Sequence, residues 1–216
     1  MEKIIEAFSK LSTPTVSDAL DKLGINGNTA VGIRPLDRNF RLIGRAFTIQ
    51  YGPIGVERGT VGDYIDDVKP GDIVVLDNAG RQDCTVWGDI LTTMASQQQI
   101  GGTVIHGVCR DSARSLELGY PIFSCGTFMR TGKDRVQVEH VNGPVSLGGI
   151  RVTPGDIVMG DIDGVVVIPK EQENVVLETA LQIEGAEEQI REAITTRGVS
   201  LREARQQFGY HNLQHK

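Results

Sequence analysis

Three side chains in the middle of this sequence have the types and spacing needed for chemistry on a small acid. They are Asp89 and, after twenty intervening residues, the adjacent pair Arg110 and Asp111. An arginine can hold a carboxylate through two parallel hydrogen bonds, and it can stabilise negative charge that develops on a carbonyl oxygen. The two aspartates are hard oxygen ligands that suit Mg²⁺ or Mn²⁺, bound directly or through water. Together these groups point to metal-assisted chemistry on a 2-oxo acid, because a divalent cation stabilises the enolate formed in aldol cleavage or decarboxylation.

The predicted secondary structure can bring these residues together. The pattern predicts a helix over Trp87–Gln99, with Asp89 near its start, and a strand over Thr103–Val108 that ends just before Arg110. Ligands of α/β units bind beyond the carboxyl ends of the strands. Free backbone N–H groups at the start of the helix would also bind a carboxylate. We therefore expect a crevice at this edge of the sheet.

A structural explanation of the same residues stays open at this stage. An Arg-Asp pair that follows a strand is often a surface ion pair, which contributes about 0–1 kcal/mol. Two carboxylates and one arginine are not a specific signature by themselves. Their spacing alone therefore does not decide between an ion pair and a catalytic group.

The rest of the chain predicts an α/β domain that begins and ends with helices. Short β-branched runs between Gly and Pro predict strands at Arg41–Gln50, Ile73–Asp77, Thr103–Val108, Ile122–Cys125, Val136–Val141, Ile157–Met159 and Val165–Ile168. Apart from the helix at Asp89, helices are predicted around residues 4–11, from Thr13-Pro14 to Gly24, over Ser112–Leu118, over Lys170–Arg197 with a break at Gly185, and over Leu201–Phe208 with Ser200 as its N-cap. The runs at residues 73–76 and 165–168 are apolar throughout, which is typical of strands buried on both faces.

One internal similarity links two of these strands. The segments 68–77 and 152–161 agree at seven of ten positions and share the sequence Pro-Gly-Asp-Ile-Val. A Pro-Gly turn that leads into a buried strand explains the similarity. Two equivalent corners of a β structure are a simpler reason for it than a duplicated functional unit.

Composition excludes several classes of protein. The 216 residues carry 22 Lys+Arg and 28 Asp+Glu, a net charge of −6, with 39% hydrophobic residues, which fits one globular domain over 1–216. Without a Lys/Arg run, nucleic acid is not an expected partner. No stretch of about 18 apolar residues predicts a membrane span, and the N-terminus lacks the apolar core of a signal peptide. We therefore expect a cytoplasmic protein.

Common catalytic and metal-binding motifs are absent from the sequence. It contains no G-x-G-x-x-G, Walker A, H-E-x-x-H or G-x-S-x-G pattern. Cys84, Cys109 and Cys125 are odd in number and widely spaced, so free thiols in a reducing compartment are expected. His211 and His215 have i, i+4 spacing, but their place at the chain end favours a frayed tail over a metal site.

A set of motifs over nearly the whole chain resembles the RraA-like family. It consists of Thr13-Pro-Thr-Val-Ser-Asp18-Ala-Leu, Gly88-Asp89-Ile90-Leu91, the spacing from Asp89 to Arg110-Asp111, Pro154-Gly155-Asp156, and Asp161-x-Asp163-Gly164-Val-Val-Val-Ile-Pro169. That family includes class II 4-hydroxy-4-methyl-2-oxoglutarate/4-carboxy-4-hydroxy-2-oxoadipate aldolases and regulators of ribonuclease E activity. The resemblance implies a swivelling β/β/α fold with N-terminal helices and a long C-terminal helix. It also implies homotrimers or hexamers with active sites at subunit interfaces.

The resemblance also implies roles for individual residues. Asp111 would hold Mg²⁺, or Mn²⁺ or another divalent cation, partly through water, and Asp89 would order a metal-bound water. Arg110 would contact the substrate carbonyl or enolate. The substrate carboxylate would bind backbone N–H groups in the stretch Gly88, Ile90 and Leu91. A lysine on the following loop and a glutamate from the neighbouring subunit's C-terminal helix complete the family's aldolase site; the candidates here are Lys133 and either Glu187 or Glu188.

The expected function is therefore that of a metal-dependent lyase. It would cleave a 4-hydroxy-2-oxo acid of the 4-hydroxy-4-methyl-2-oxoglutarate type to pyruvate, with oxaloacetate decarboxylation as a side activity. Two alternatives remain: a regulator that binds and inhibits a ribonuclease, or an enzyme of the same fold that acts on another oxo acid or sugar acid.

Overall fold

Helices and strands alternate through most of the described chain. The structure is a computed structural model that describes residues 2–25, 28–56 and 59–210; His211 and His215 lie outside these residues. The α-helices are α1 Lys3–Phe8, α2 Thr13–Lys22, α3 Asp89–Gln97, α4 Ser112–Leu118, α5 Glu173–Arg197 and α6 Leu201–Gln207. The strands are β1 Thr29–Ala30, β2 Arg34–Pro35, β3 Leu42–Pro53, β4 Ile73–Thr85, β5 Gly102–Val108, β6 Ile122–Ser124, β7 Val136–Val141, β8 Val145–Leu147, β9 Ile150–Val152, β10 Ile157–Asp161 and β11 Gly164–Ile168.

A nine-stranded mixed sheet carries the fold. Its strand order is β1-β11-β10-β3-β4-β5-β6-β2, and β7 pairs with the second half of β3. The four neighbours β3, β4, β5 and β6 run parallel, whereas β1, β2, β7, β10 and β11 pair antiparallel. In the parallel part, α3 connects β4 to β5 and α4 connects β5 to β6. The carboxyl ends of β4 and β5 therefore lie at one edge of the sheet, as the sequence predicts.

The two Pro-Gly corners flank the same strand. Gly71 and Gly155 have φ of +83° and +89°, and each precedes a strand that pairs with β3. Ile73 of β4 lies opposite Ala46, and Ile157 of β10 lies opposite the preceding residue of β3, Arg45. This placement supports two equivalent corners as the reason for the internal similarity.

The strand predictions need correction in two respects. β4 continues to Thr85, eight residues past the predicted end, with register shifts on both sides of Arg81 that interrupt the apolar pattern. The short strands β1 and β2 and the hairpin of β8 and β9 were not predicted, because each has only two or three residues. The other predicted strands are confirmed to within four residues at their ends.

The N-terminal helices pack on β10 and β11. Ser12 caps α2 through its hydroxyl, and Pro14 takes the second helical position. The N–H and hydroxyl of Thr13 donate to the buried carboxylate of Asp161 at 2.9 and 2.7 Å, and the N–H of Asp163 donates to it at 2.9 Å. The motif residue Asp161 thus joins the start of α2 to the turn between β10 and β11.

The C-terminal helix begins three residues later than predicted and has no break. α5 runs through Gly185 without a break, because Val176, Ala180, Ile183 and Ile190 keep one buried face on both sides of the glycine. Residues 170–172 form a 3-10 turn before it. α6 follows with a capping box between Ser200 and Glu203, in agreement with the predicted N-cap.

The helices can also be compared with the length and hydropathy that a membrane span requires. Among the described residues, none of the helices combines the length and apolar character required to cross a bilayer.

Candidate active site

The ends of β4 and β5 meet where the sequence places the candidate residues. The N–H of Arg110, two residues past β5, donates to the carbonyl oxygen of Trp87 at 3.0 Å. Gly88 follows Trp87, and Asp89 is the first residue of α3. This backbone contact brings Asp89 beside Arg110 and Asp111, so the predicted crevice at this edge of the sheet is present.

Trp87 holds the start of α3 in place. Its indole N–H donates to the hydroxyl of Thr92 at 2.9 Å, and that hydroxyl donates to the carbonyl oxygen of Gly88 at 2.9 Å. The ring is 1% exposed and stacks on Tyr120, with centroids 6.2 Å apart and an angle of 4° between the planes. The buried indole therefore fixes the helix end against the sheet before any ligand binds.

Asp111 has an unusual backbone conformation that directs its carboxylate to the crevice. Its φ is +54°, in the left-handed region that aspartate enters more readily than most residues. Asp111 precedes α4, yet its side chain does not cap that helix. Its Oδ2 instead lies 3.3 Å from the N–H of Asp89 and 3.2 Å from Nε of Arg110. The left-handed backbone is thus accompanied by a carboxylate that contacts Asp89 and Arg110 and does not cap α4.

The side chains of Arg110 and Asp111 approach residue 88 so closely that it must be a glycine. A Cβ at this position would lie 2.8 Å from Oδ2 of Asp111 and 3.2 Å from Nε of Arg110. The φ of Gly88 is −147°, a value open to any residue, so contact and not backbone strain makes a glycine necessary here. The glycine of the Gly88-Asp89-Ile90-Leu91 motif therefore has a packing role at the site.

The backbone donors at the start of α3 are less open than the sequence predicts. The N–H of Asp89 donates to Asp111, and the N–H of Ile90 donates to Oδ1 of Asp89 at 2.9 Å. Among the described residues, the N–H of Leu91 has no acceptor. The prediction of free N–H groups is corrected accordingly: a ligand carboxylate must compete with two side chains of the protein for this helix end.

A cavity of about 540 Å³ opens beside these residues. Its lining includes Gly88, Asp89, Ile90, Leu91, Arg110 and Lys133. Asp111 lies on the other side of Arg110, in a second recess of about 310 Å³ that Arg110 also lines. The side chain of Arg110 thus stands between the two recesses, 38% exposed.

Lys133 reaches the cavity because its loop is tied to the end of β4. The N–H and the hydroxyl of Thr85 both donate to the carbonyl oxygen of Arg130, at 3.0 and 3.2 Å. A Cβ on Gly132 would lie 2.3 Å from the carbonyl oxygen of Thr85, so this approach also depends on a glycine. The loop therefore places Lys133 on the same cavity as Asp89 and Arg110.

Two acidic residues of the cavity were missed by the sequence analysis. Asp63 and Asp66 line it from the 3-10 helix Asp63–Asp67, which precedes β4. The segment has neither the 3.6-residue nor the 2-residue period on which strand and helix predictions depend. The only signal was an acidic residue repeated at a spacing of three, which matches a 3-10 helix.

The two C-terminal glutamates lie elsewhere in the subunit. Glu187 accepts hydrogen bonds from Arg191 at 3.3 Å and from the hydroxyl of Tyr210 at 3.2 Å, on the part of α5 that packs near α6. Neither Glu187 nor Glu188 lines the cavity at Arg110. Within one chain the structure does not bring them to the site, so a role for either requires a second subunit.

The thiol nearest to the site is not a candidate nucleophile. Cys109 directly precedes Arg110 and is fully buried. Burial raises the pKa of its thiol above the ordinary value, so the thiol stays protonated at neutral pH. All three cysteines are free, as predicted.

The donor set at Asp111 fits a hydrated divalent cation. Asp111 supplies a carboxylate beside the backbone N–H of Asp89, and the side chain of Asp111 is 41% exposed to water. Mg²⁺ characteristically keeps several water ligands and binds through one or two carboxylates. Among the described residues no group of three or more His, Cys, Asp or Glu side chains could enclose a metal.

Comparison with known proteins fits this geometry. The sequence model of the RraA-like family, described as Aldolase/RraA, matches residues 13–167. The chain belongs to the RraA-like family. The matched range runs from the start of α2 into β11 and includes Asp89, Arg110 and Asp111.

Curated relatives of this RraA-like chain differ in length and in name. DlpA of Legionella pneumophila is 38% identical over 97% of this chain, which spans 34%, about a third, of the length of DlpA. A protein of Halalkalibacterium halodurans, provisionally named 4-hydroxy-4-methyl-2-oxoglutarate aldolase, is 36% identical over 92% of this chain and 91% of its own length. Aldolase is therefore a name found within the family, and it is not attached to every relative.

Solved structures confirm the predicted fold. An uncharacterized protein from Pseudomonas syringae pv. tomato superposes with a TM-score of 0.88 at 40% identity, over 95% of this chain and 98% of the other. RraAS2 of Streptomyces coelicolor, described as an unusual member of the RNase ES inhibitor RraA protein family, has a TM-score of 0.81 at 28% identity, over 87% and 95%. The α/β RraA-like fold with its long C-terminal helix is thus the fold of this chain.

Proposed function

We propose that this protein is a divalent-metal-dependent lyase that cleaves a 4-hydroxy-2-oxo acid to pyruvate, with decarboxylation of oxaloacetate as a side activity. The observation that carries the proposal is the convergence of Arg110, Asp111 and Asp89 on one crevice, with Lys133 on the same cavity as Arg110 and Asp89. The relative named as an aldolase supports it at the level of the family.

The protein's own groups account for binding of the 2-oxo acid. Arg110 holds the 2-oxo end through its guanidinium and stabilises the negative charge that develops there when the C3–C4 bond breaks. The N-terminus of α3 takes the carboxylate, with the N–H of Leu91 as the donor that has no protein acceptor. Gly88 and Trp87 keep this arrangement fixed, so that little reorganisation accompanies the reaction.

Proton transfer falls to the carboxylates and to the lysine of the cavity. Asp89 positions the water that removes the C4 hydroxyl proton and then returns a proton to C3 of the enolate to give pyruvate. Lys133 is a second cation of the cavity, which can bind the leaving carbonyl group. Asp111 would hold a Mg²⁺ or Mn²⁺ ion, partly through water, and a bound ion would supply Lewis-acid polarisation of the 2-oxo group. Oxaloacetate decarboxylation also gives pyruvate enolate, so Arg110 would stabilise the same negative charge in that reaction.

The assembly that we propose is a homotrimer or hexamer with the site at a subunit boundary. Ile90 is 80% exposed and Met94 is 37% exposed on the first turns of α3, directly beside Asp89. Apolar side chains this exposed at a helix start are suited to cover by another subunit. Glu187 or Glu188 of a neighbouring subunit would then complete the site.

The alternative is a regulator that binds and inhibits a ribonuclease. It is favoured by the similarity to RraAS2, a member of the RNase ES inhibitor RraA protein family, whereas the crevice at Arg110 favours the enzyme. The two differ in their dependence on Asp111: partner binding through another surface survives its replacement, and turnover does not.

Coupled pyruvate detection tests the proposal. The substrates are 4-hydroxy-4-methyl-2-oxoglutarate, 4-hydroxy-2-oxopentanoate and oxaloacetate, each with Mg²⁺, with Mn²⁺ and with a chelator. We expect pyruvate release that stops on chelation and returns when either metal is added back. Absence of pyruvate release from all three substrates with both metals would contradict the proposal.

A further inference from the structure

The cavity at Arg110 is lined by groups of both charges. Arg110 and the N-terminus of α3 attract a carboxylate, and Asp89 lies beside them. Asp63 and Asp66 line the cavity from the 3-10 helix Asp63–Asp67. Lys133 is the one other cation in the lining of this described cavity. Apart from Arg110 and Asp89, a ligand in this cavity therefore meets two negative side chains and a single positive one.

The 3-10 geometry explains why these two aspartates act together. Side chains three residues apart in a 3-10 helix lie above one another on the same face. Asp63 and Asp66 have this spacing and share the cavity, whereas Asp67, which is in the same helix and exposed as they are, does not line it. Substitution of Asp67 is therefore a matched control, because it removes one negative charge from the same helix outside the cavity.

The segment is held firmly against the site. Tyr64 and Ile65, between the two aspartates, are 5% and 6% exposed, and the hydroxyls of Tyr64 and Tyr51 lie 3.2 Å apart. A Cβ on Gly62 would lie 2.9 Å from Cδ2 of Leu91 on α3, so the segment and the helix approach each other as closely as a glycine allows. The buried anchors fix Asp63 and Asp66 at the rim of the cavity.

We infer that Asp63 and Asp66 determine specificity: they select 2-oxo acids whose distal end is neutral or hydroxylated against those with a second carboxylate there. This inference rests on the proposed function for the identity of the 2-oxo acid group. Two fixed negative charges repel a distal carboxylate, and both can accept hydrogen bonds from distal hydroxyl groups. A monocarboxylic 4-hydroxy-2-oxo acid is then a better substrate than 4-hydroxy-4-methyl-2-oxoglutarate.

A binding experiment tests this without turnover. The probes are 2-oxopentanoate and 2-oxoglutarate, which have five carbons each and differ in a methyl group against a carboxylate at the distal end. Trp87, the one tryptophan of the chain, lines the cavity, so its fluorescence reports binding in the presence of Mg²⁺. We expect 2-oxopentanoate to bind about tenfold more tightly, with a ratio that shrinks as ionic strength rises because the rim is exposed to solvent.

Substitutions separate the aspartates from general effects of charge. In the Asp63→Asn/Asp66→Asn double variant we expect 2-oxoglutarate to bind about fivefold more tightly, with the affinity for 2-oxopentanoate nearly unchanged. Asp67→Asn removes one charge from the same helix and should leave the ratio as it is. Equal affinities for the two probes in the native protein, or the same change with Asp67→Asn, would overturn the inference.

The outcomes also distinguish this inference from the proposed function. If the two probes bind with the expected ratio and no substrate releases pyruvate, then the proposed reaction fails and the charge selection stands. If pyruvate is released, with 4-hydroxy-4-methyl-2-oxoglutarate preferred over 4-hydroxy-2-oxopentanoate in both native protein and double variant, then the reaction stands and the selection fails.

Discussion

Oδ2 of Asp111 accepts a hydrogen bond from the N–H of Asp89 at 3.3 Å. The side chain of the residue that precedes α4 is therefore bound to the first N–H of α3. The carboxylate of Asp89 in turn accepts from the N–H of Ile90 at 2.9 Å. Two helix ends are therefore coupled through one pair of acidic residues. A ligand carboxylate that binds at α3 must replace one of these acceptors, which makes the two aspartates part of the binding equilibrium.

Replacement of Arg110 and Asp111 should affect turnover far more than the fold. We expect Arg110→Ala to lower kcat about 10²- to 10³-fold, as loss of one oxyanion donor does. Asp111→Ala and Asp111→Asn should abolish pyruvate release; asparagine tolerates the left-handed backbone at this position, so its effect reports the lost charge. The control is Arg114→Ala, which removes a surface ion pair with Glu117 on α4. Near-native pyruvate release by the Arg110 or Asp111 variants would exclude the assigned roles.

Gly88→Ala tests the close approach at the crevice. The added Cβ would lie 2.8 Å from Oδ2 of Asp111 and must displace this carboxylate or the neighbouring guanidinium. We expect pyruvate release to fall about 10²-fold, since a displacement of about 1 Å in a site has that effect. Gly143→Ala is the matched control, because a Cβ there has no heavy atom within 4 Å. Equal loss of activity in both variants would show that the contact is not the cause.

The sequence predicted the parts of the site that follow from simple periodicity. Asp89 at a helix start and Arg110-Asp111 after a strand were placed correctly, because a parallel unit puts such residues at the same edge. The direction of the Asp111 carboxylate was not predictable, since it depends on a left-handed backbone conformation that few non-glycine residues adopt. The engagement of the Ile90 N–H by Asp89 was also missed, because the same N–H groups serve a ligand or a side chain equally well.

Contacts between distant segments were beyond the reach of the sequence. Thr13 and Asp161 belong to two separate motifs, and the structure joins them through a buried carboxylate 148 residues away along the chain. The break expected at Gly185 was wrong, because packing of the buried face of α5 outweighs the weak helix propensity of one glycine. Both cases depend on tertiary packing, which local patterns do not contain.

Asp161 should matter for stability and not for chemistry. Its buried carboxylate accepts from the N–H and hydroxyl of Thr13 and from the N–H of Asp163. Asp161→Ala leaves these donors without an acceptor, which should lower the free energy of unfolding by about 3 kcal/mol. Urea unfolding measures the loss, and Asp163→Ala, an exposed neighbour, should change stability by no more than about 0.5 kcal/mol. A similar loss in both variants would contradict this role.

Asp18 gives the protein a pH-dependent stability of predictable sign. Partial burial, and then the nearby charges of Glu187 and Asp21, raise the pKa of Asp18 above its ordinary value of 3.8. The folded state therefore binds this proton more tightly than the unfolded chain, so the contribution is present below pH 3.8 and is lost as pH rises through the folded pKa. Asp18→Asn should raise the urea midpoint at pH 7 relative to the native protein and give no such gain at pH 3.5. A gain that is equal at both pH values would rule out titration of Asp18 as the cause.

Alanine substitutions of Gly185 and Gly198 test how the backbone conformation of α5 contributes to stability. Gly185 is an exposed position within the 25-residue helix, and a Cβ there has no heavy atom within 4 Å. Gly185→Ala should raise the free energy of unfolding by about 0.5–1 kcal/mol, because alanine restricts the unfolded chain and fits the helix. Gly198 ends the same helix with φ +64°, so Gly198→Ala should lower it by about 1 kcal/mol. Thermal unfolding should separate the two variants in opposite directions from the native Tm. A fall in Tm with Gly185→Ala would mean that the exposed face of α5 is covered by another subunit that tolerates no added methyl group.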